Sequence, residues 1–233
     1  MAIVKFGPMF VGARGTLGGI IFSANQAGPF VRSWSKGSNP RTALQSAQRG
    51  ILTDFASNWR NLTQAEKDDW DDYADDAAQE LTNSLGETYF VSGFAWYVRI
   101  NTHLTLAAEA DRDDAPTNVR PVAPILGVGV QLWTTGAAEN SRVIMTAGSP
   151  DLTENHVVFA RVVSQGRQKM SSGFVLMKIA VPDAGRRIFI QDELEAAFGT
   201  IQLGQRMFVE VNIQGDQGQR GPVDTAFADA QSV

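Results

Sequence analysis

Two rhythms of apolar and polar positions run along this chain, and the change from one to the other divides it. Near the start, Gly19-Ile20-Ile21-Phe22-Ser23 and Pro29-Phe30-Val31-Arg32-Ser33-Trp34 are β-prone runs. They are separated by Ala24-Asn25-Gln26-Ala27-Gly28, whose Asn and Gly tolerate turn angles, so a hairpin or ribbon is expected. An isolated two-stranded ribbon is marginal in water, so this one must lean on its own domain or on a partner. The period then changes to three and four. Leu44, Ala47, Ile51, Phe55 and Trp59 form one apolar helical stripe, opened by Asn39 as N-cap with Pro40 behind it and closed near Asn61. Thr63-Gln64-Ala65-Glu66 reads as a capping box, in which threonine and glutamate satisfy each other's orphan N–H groups. The helix it starts turns Trp70, Tyr73, Ala74, Ala77 and Leu81 inward. A third helix is expected from about Ser92 to Ala108, burying Phe94, Val98 and Leu104.

From 109 to 124 three prolines and no apolar period predict an extended linker. Beyond it the period is two. Val128, Val130 and Leu132 alternate, as do Val209, Val211 and Ile213, and HVVFARVV and FVLMKIAV are further β-rich runs. Turn clusters such as Ala147-Gly148-Ser149-Pro150 divide them. Asp192 to Phe198 reads as a short helical turn, and GDQGQRGP as a glycine-rich turn between the last two strands. The expected fold is α+β in several parts: a basic glycine-rich β-ribbon arm (1–38), a small three-helix domain (39–108), a Pro-rich linker (109–124) and an antiparallel β-sandwich (125–233).

Composition narrows the chemistry. Among 233 residues, 43% hydrophobic and 19% charged, there is enough apolar material for a buried core. The absence of cysteine excludes disulfides, iron–sulfur clusters, cysteine zinc sites and cysteine nucleophiles, and two histidines leave little for other metal sites. No targeting pattern opens the chain and no run is apolar enough to span a bilayer, so a soluble, cytoplasmically made protein without a membrane partner is expected. The net charge of -5 hides a strong asymmetry. From Met1 to Arg60 seven bases face one acid, a net of +6; from Asn61 to Gly86 eight acids face Lys67 alone, a net of -7. A basic arm precedes an acidic helix, a pattern that suits contact with other surfaces.

Three motifs invite a sharper reading. Gly12-Ala13-Arg14-Gly15-Thr16-Leu17-Gly18-Gly19 looks like a phosphate cradle, but a P-loop needs a lysine after its last glycine and a dinucleotide fingerprint needs a helix to follow. Here Gly19-Ile20-Ile21 follows, so the glycines are expected where backbone turns sharply or approaches another backbone. The acidic run from Asp68 to Asp76 lacks the glycine a calcium loop requires at its sixth position and lies within a capped helix, so it reads as a solvated face. His103 and His156 have no nucleophile signature near them. No cofactor, metal or catalytic residue is therefore expected, and the chain is not read as an enzyme. What remains is Arg14, Phe22, Phe30, Arg32, Trp34, Lys36 and Arg41. Arginine and aromatic residues are the types that most often anchor interfaces, and these seven are the candidate protein contact.

The order GTLGGIIFSANQAGPFVRSWSKGSNPRT, then Gln45-Ser46-Ala47-Gln48-Arg49, NWRNLTQAEKDDWDDYA and SGFAWYVRIN, resembles a group of mostly uncharacterised structural proteins of tailed bacteriophages over roughly the first 105 residues. The part ending in MFVEVNIQGDQGQRGPVDTAFA is similar to fibronectin-III or immunoglobulin-like modules, without their paired cysteines or core tryptophan. The resemblance implies a virion component assembled in the bacterial cytoplasm, with the major capsid protein first among its partners and tail proteins next. It further implies homo-oligomeric placement on the particle and a cementing or decorating role. Two rivals stand beside it: a tail or head-to-tail connecting protein, and a DNA-binding accessory factor using the basic arm. NWRNLTQAEKDDWDDYADDA also has a passing similarity to the HMG-box pattern, but HMG boxes are strongly basic and this stretch lies within the segment of net -7, so direct DNA binding by it is not expected.

Overall fold

A computed structural model of the chain describes residues 2–7, 12–37, 39, 41–117, 125, 127–135, 140–146, 154–164, 166–167 and 173–231. The expected helix start at Pro40, the side chains of Leu44 and Ala77, the turn at 147–150 and linker residues 118–124 lie outside that description. The chain is α+β, with four α-helices and mostly antiparallel sheets among the described residues. It divides into two compact units, Met1–Thr102 with Asp111–Val119, and His103–Ala110 with Arg120–Val233.

In the first unit the expected ribbon is the centre of a four-stranded sheet. Its strands are β1 (Ala2–Ile3), β2 (Gly15–Leu17), β3 (Ile20–Asn25) and β4 (Gly28–Ser33), in the order β1-β4-β3-β2. Gly18 and Gly19 make the two-residue turn from β2 to β3 with φ of +53° and +83°. Both central residues at positive φ are what a tight hairpin matched to strand twist requires. A Cβ at either glycine would meet nothing within 4 Å among the described residues, so what the positive φ of these glycines serves is the turn. The short hairpin of β5 (Leu81–Thr82) and β6 (Thr88–Tyr89) ties to the sheet through Asn83 Nδ2, which donates to Ala27 O at 2.8 Å, and through a 2.7 Å Lys5–Glu87 ion pair.

Helix α1 (Ala43–Asn61) starts later than the Asn39-Pro40 pair suggested. Thr42 caps it, its hydroxyl accepting from Gln45 N–H, while Arg41 sits at φ +48°, outside helical geometry; Asn39 instead accepts a bond from the Arg49 guanidinium. Helix α2 (Gln64–Asp75) opens on the expected capping box but ends six residues before Leu81. Its last turn carries acids and no base, the wrong sign for the negative end of the helix dipole. Asp76 accepts from Ala78 N–H and turns the chain into a 3-10 segment at Ala77–Gln79. Helix α3 (Gly93–Leu106) follows β6, and the division between the units falls within it.

Aromatic rings fill the space between these helices. Tyr97 packs edge-on against Phe55 and Trp70, with Trp59 tilted onto it at 5.3 Å, and Tyr73 joins Trp70 to Trp96. Edge-to-face pairs add to the burial of such large rings. Residues 111–117, inside the segment expected to be a linker, lie along the helices. Asn101 pairs with the Arg112 backbone through both ends of its amide, and Trp70 Nε1 donates to Asp113 O at 2.7 Å.

The second unit holds one continuous seven-stranded sheet, ordered β10-β9-β12-β13-β7-β8-β11. Its strands are β7 (Val128–Trp133), β8 (Arg142–Met145), β9 (Asn155–Ser164), β10 (Val175–Ala180), β11 (Arg187–Phe189), β12 (Gln205–Gln214) and β13 (Asp224–Gln231). All neighbours are antiparallel except β7 and β13, which run parallel through Leu132 and Trp133 against Ala230 and Gln231. The sheet curls toward closure. Lys178 on one edge strand donates to Phe189 O on the other at 3.1 Å and pairs with Glu193 of α4 (Gln191–Phe198) at 2.8 Å. Enclosed by this near-barrel, Leu132, Val143, Met145, Val158, Met207, Val209, Val211 and Ile213 form a buried aliphatic core, with Leu194 of α4 among them. A register shift between Leu176 and Lys178 gives β10 one extra residue, and Met177 is buried there.

Candidate protein contact surface

Strand register decides which of the seven expected contact residues can act together. Residues paired across a sheet share a face, and successive residues alternate. Phe22 pairs with Val31, and Ile20 with Leu17, so Leu17, Ile20, Phe22, Val31 and Ala2 occupy one face. Ile3, Ile21, Phe30 and Arg32 occupy the other, joined beyond the end of β4 by Trp34, whose N–H donates to Gly19 O at 2.7 Å. The structure therefore places Phe30, Arg32 and Trp34 together and puts Phe22 on the opposite side. Arg14 stands just before β2, Lys36 just after β4, and Arg41 at the entry to α1.

Exposure separates these residues further. Phe22 and Phe30 are half-buried, whereas Arg14, Arg32, Lys36 and Arg41 are exposed and Trp34 is 58% exposed. Two residues that the sequence reading passed over stand out more. Leu17 is 74% exposed and Ile20 44%, side by side at the β2–β3 turn. A signal was present: a Gly-Gly pair flanked by β-prone residues reads as a two-residue hairpin, which would have put Leu17 and Ile20 opposite each other at its mouth.

Many charges of the first unit have no ion-pair partner among the described residues. Arg14, Arg32, Lys36, Arg41 and Arg60 form no ion pair with any described residue, and neither do Asp68, Asp69, Asp72 and Asp75 on α2 or Asp76 just after it. Lys67, the one base in the acidic segment, spends its ammonium on Leu62 O at 2.7 Å, where it covers a carbonyl at the end of α1. Glu66 is held below the usual carboxylate range by hydrogen bonds from the Thr63 hydroxyl and backbone N–H. Glu87 is likewise lowered, by Lys5 and Asn83. Burial pushes the Tyr97 phenol up to about 12, with Asp113, Asp111 and Glu66 adding repulsion.

Elsewhere both histidines lie against backbone carbonyls. His103 Nδ1 lies 3.0 Å from Gly218 O, and His156, wholly buried, has Nδ1 3.0 Å from Glu154 O. In the second unit a shallow, open depression is lined by Arg161, Val162, Val163, Ser164 and Arg167. Arg161 is already engaged, over the Phe198 ring and with Gly173 O. No family model matches the chain, and no curated protein matches it.

Proposed function

We propose that this chain is a structural component of a tailed-phage particle, a capsid-associated cement or decoration protein. Its N-terminal sheet and helices bind neighbouring subunits, and its second unit, which we read as a sandwich of the fibronectin-III or immunoglobulin-like kind, projects outward or meets neighbouring copies. One observation carries the reading. A small sheet exposes large apolar side chains on both faces, Leu17 and Ile20 on one and Trp34 with Arg32 on the other, and Arg14, Arg32 and Lys36 have no ion-pair partner among the described residues. Large exposed apolar residues and arginines concentrated on one small sheet mark contact surfaces. The order of sequence words in the first 105 residues, similar to phage structural proteins, supports the setting.

The test is a mass-spectrometric census of purified particles. A cement protein is present in copies on the order of the capsid subunits, held by many repeated contacts of modest size. Its absence from the particle ends the reading, and a count far below that of the capsid subunit selects the tail or connector role. The nucleic-acid rival is checked by a mobility shift of duplex DNA at low salt, since binding through arginine and lysine weakens steeply as salt rises.

A further inference from the structure

We propose that the basic residues at the end of β4 and along the start of α1 dock on the acidic α2 of a second copy of this chain. The inference rests on the reading of the first unit as the one that makes protein contacts, and it names the partner. It begins with helix α1. Its described side chains from residue 43 to residue 50 are all exposed, and Leu52, one position beyond the half-buried Ile51, is 51% exposed. Two helical turns whose described side chains are all exposed draw little stability from their own hydrogen bonds, because helical segments are held mainly by packing of an apolar face. The stripe that packs further along, through Phe55 and Trp59, continues toward these turns through Ile51, half-buried, to Ala47, which is exposed. Arg41 and Arg49 flank this bare half of the helix, and Arg32 and Lys36 lie on and just after β4.

The partner follows from charge. Residues 1–60 carry +6 and residues 61–86 carry -7, and among the described residues no ion pair joins the two sets. On α2, Asp68, Asp72 and Asp75 recur at four and three residues, and Asp69, Asp72 and Asp76 at three and four, so the exposed side of the helix is acidic along its length. A second copy brings the acidic set, net -7, to the basic set, net +6, and both are answered. Duplex DNA answers only the first and is repelled by the second, since residues 1–86 together carry -1. Apolar contacts from Trp34, on the Arg32 side of the sheet, and from Leu52 of α1 then supply the dry part of an interface whose polar part selects partner and register. The arrangement closes as a pair, each copy giving and receiving, or continues head to tail into a row or ring.

The test uses the full chain in sedimentation or light scattering at concentrations on the order of 100 μM. A mass above the monomer at about 0.05 M salt that falls toward the monomer at about 0.5 M is expected. Reversing the basic set with Arg32→Glu, Arg41→Glu and Arg49→Glu, or the acidic set with Asp69→Lys, Asp72→Lys and Asp75→Lys, weakens self-association on the order of 100-fold. Mixing the two variants restores it, because each then offers the face that the other lacks. If either reversal unfolds the chain, the neutral versions, Arg→Gln and Asp→Asn at the same positions, give the same reading at smaller amplitude. A wild-type monomer at low salt, reversals that leave the mass unchanged, or a mixture that stays monomeric overturns the proposal. Presence in particles with no self-association leaves the virion reading standing with another partner. Self-association with absence from particles does the reverse.

Discussion

Gly93 shows how much one missing side chain can decide. It opens α3 where the helix crosses close to α2: a Cβ there would lie 2.7 Å from the Trp70 carbonyl carbon and against Asp71 Oδ1, which accepts the Gly93 N–H at 3.1 Å. Gly93→Ala must push the two helices apart, with an expected loss of about 1–3 kcal/mol, the usual cost of overpacking. Urea unfolding followed by tryptophan fluorescence reads it. Arg41 is the opposite case. At φ +48° it holds a backbone geometry that suits glycine, so Arg41→Gly removes a charge from the contact surface while folding stability stays within about 1 kcal/mol. A thermal melt that moves little, together with weaker self-association at low salt, is the expected pair of results. The sequence showed a glycine and an arginine at these places; the reason for either depends on what lies beside them, which local patterning does not carry.

At the level of elements, the strongest local signal is the start of α2. Thr63→Ala removes the hydroxyl that accepts from Glu66 N–H and is expected to cost about 1 kcal/mol, the usual worth of an N-cap. Glu66 is held below the ordinary carboxylate range by the same residue, so its contribution is complete above that range and is lost as pH falls through its lowered value. The variant should therefore also flatten the acid limb of a stability-against-pH curve. Features of this kind were legible because they are written within four residues: the capping box, the stripe through Phe55 and Trp59, the helix beginning near Ser92, and the hairpin around Gln26-Ala27. The pairing of Ala2–Ile3 with β4, the parallel contact of β7 with β13 and the approach of Lys178 to Phe189 were not. Each joins segments far apart in the chain, and a period of two says that a strand is half-buried without saying which strand lies next to it. The contact residues divide in the same way. Residue type picked out Arg32 and Trp34, but only register shows that Phe30 stands with them and Phe22 does not, and only the glycine turn brings Leu17 beside Ile20.

The two units bury different chemistry, and this gives the whole molecule a distinct alkaline response. All three tyrosines and four of the five tryptophans fall within residues 1–102, whereas the core of the second unit is aliphatic with methionine. Tyr97, 1% exposed, titrates near 12 when folded and near 10 when unfolded. Below about pH 10 the phenol is protonated in both states and adds nothing to the pH dependence. Between about 10 and 12 the unfolded chain gives up that proton while the folded one keeps it, so the unfolded state binds fewer protons and stability falls as pH rises. The expected result is a urea midpoint, read by tryptophan fluorescence, that drops across this window, while the far-ultraviolet β-signal of the second unit follows it less. Tyr97→Phe keeps the ring against Phe55 and Trp70 and removes the proton, so it should flatten the drop that fluorescence reports. Equal alkaline loss in the variant and the parent would mean that another group carries the effect and that the phenol is not held protonated by its burial.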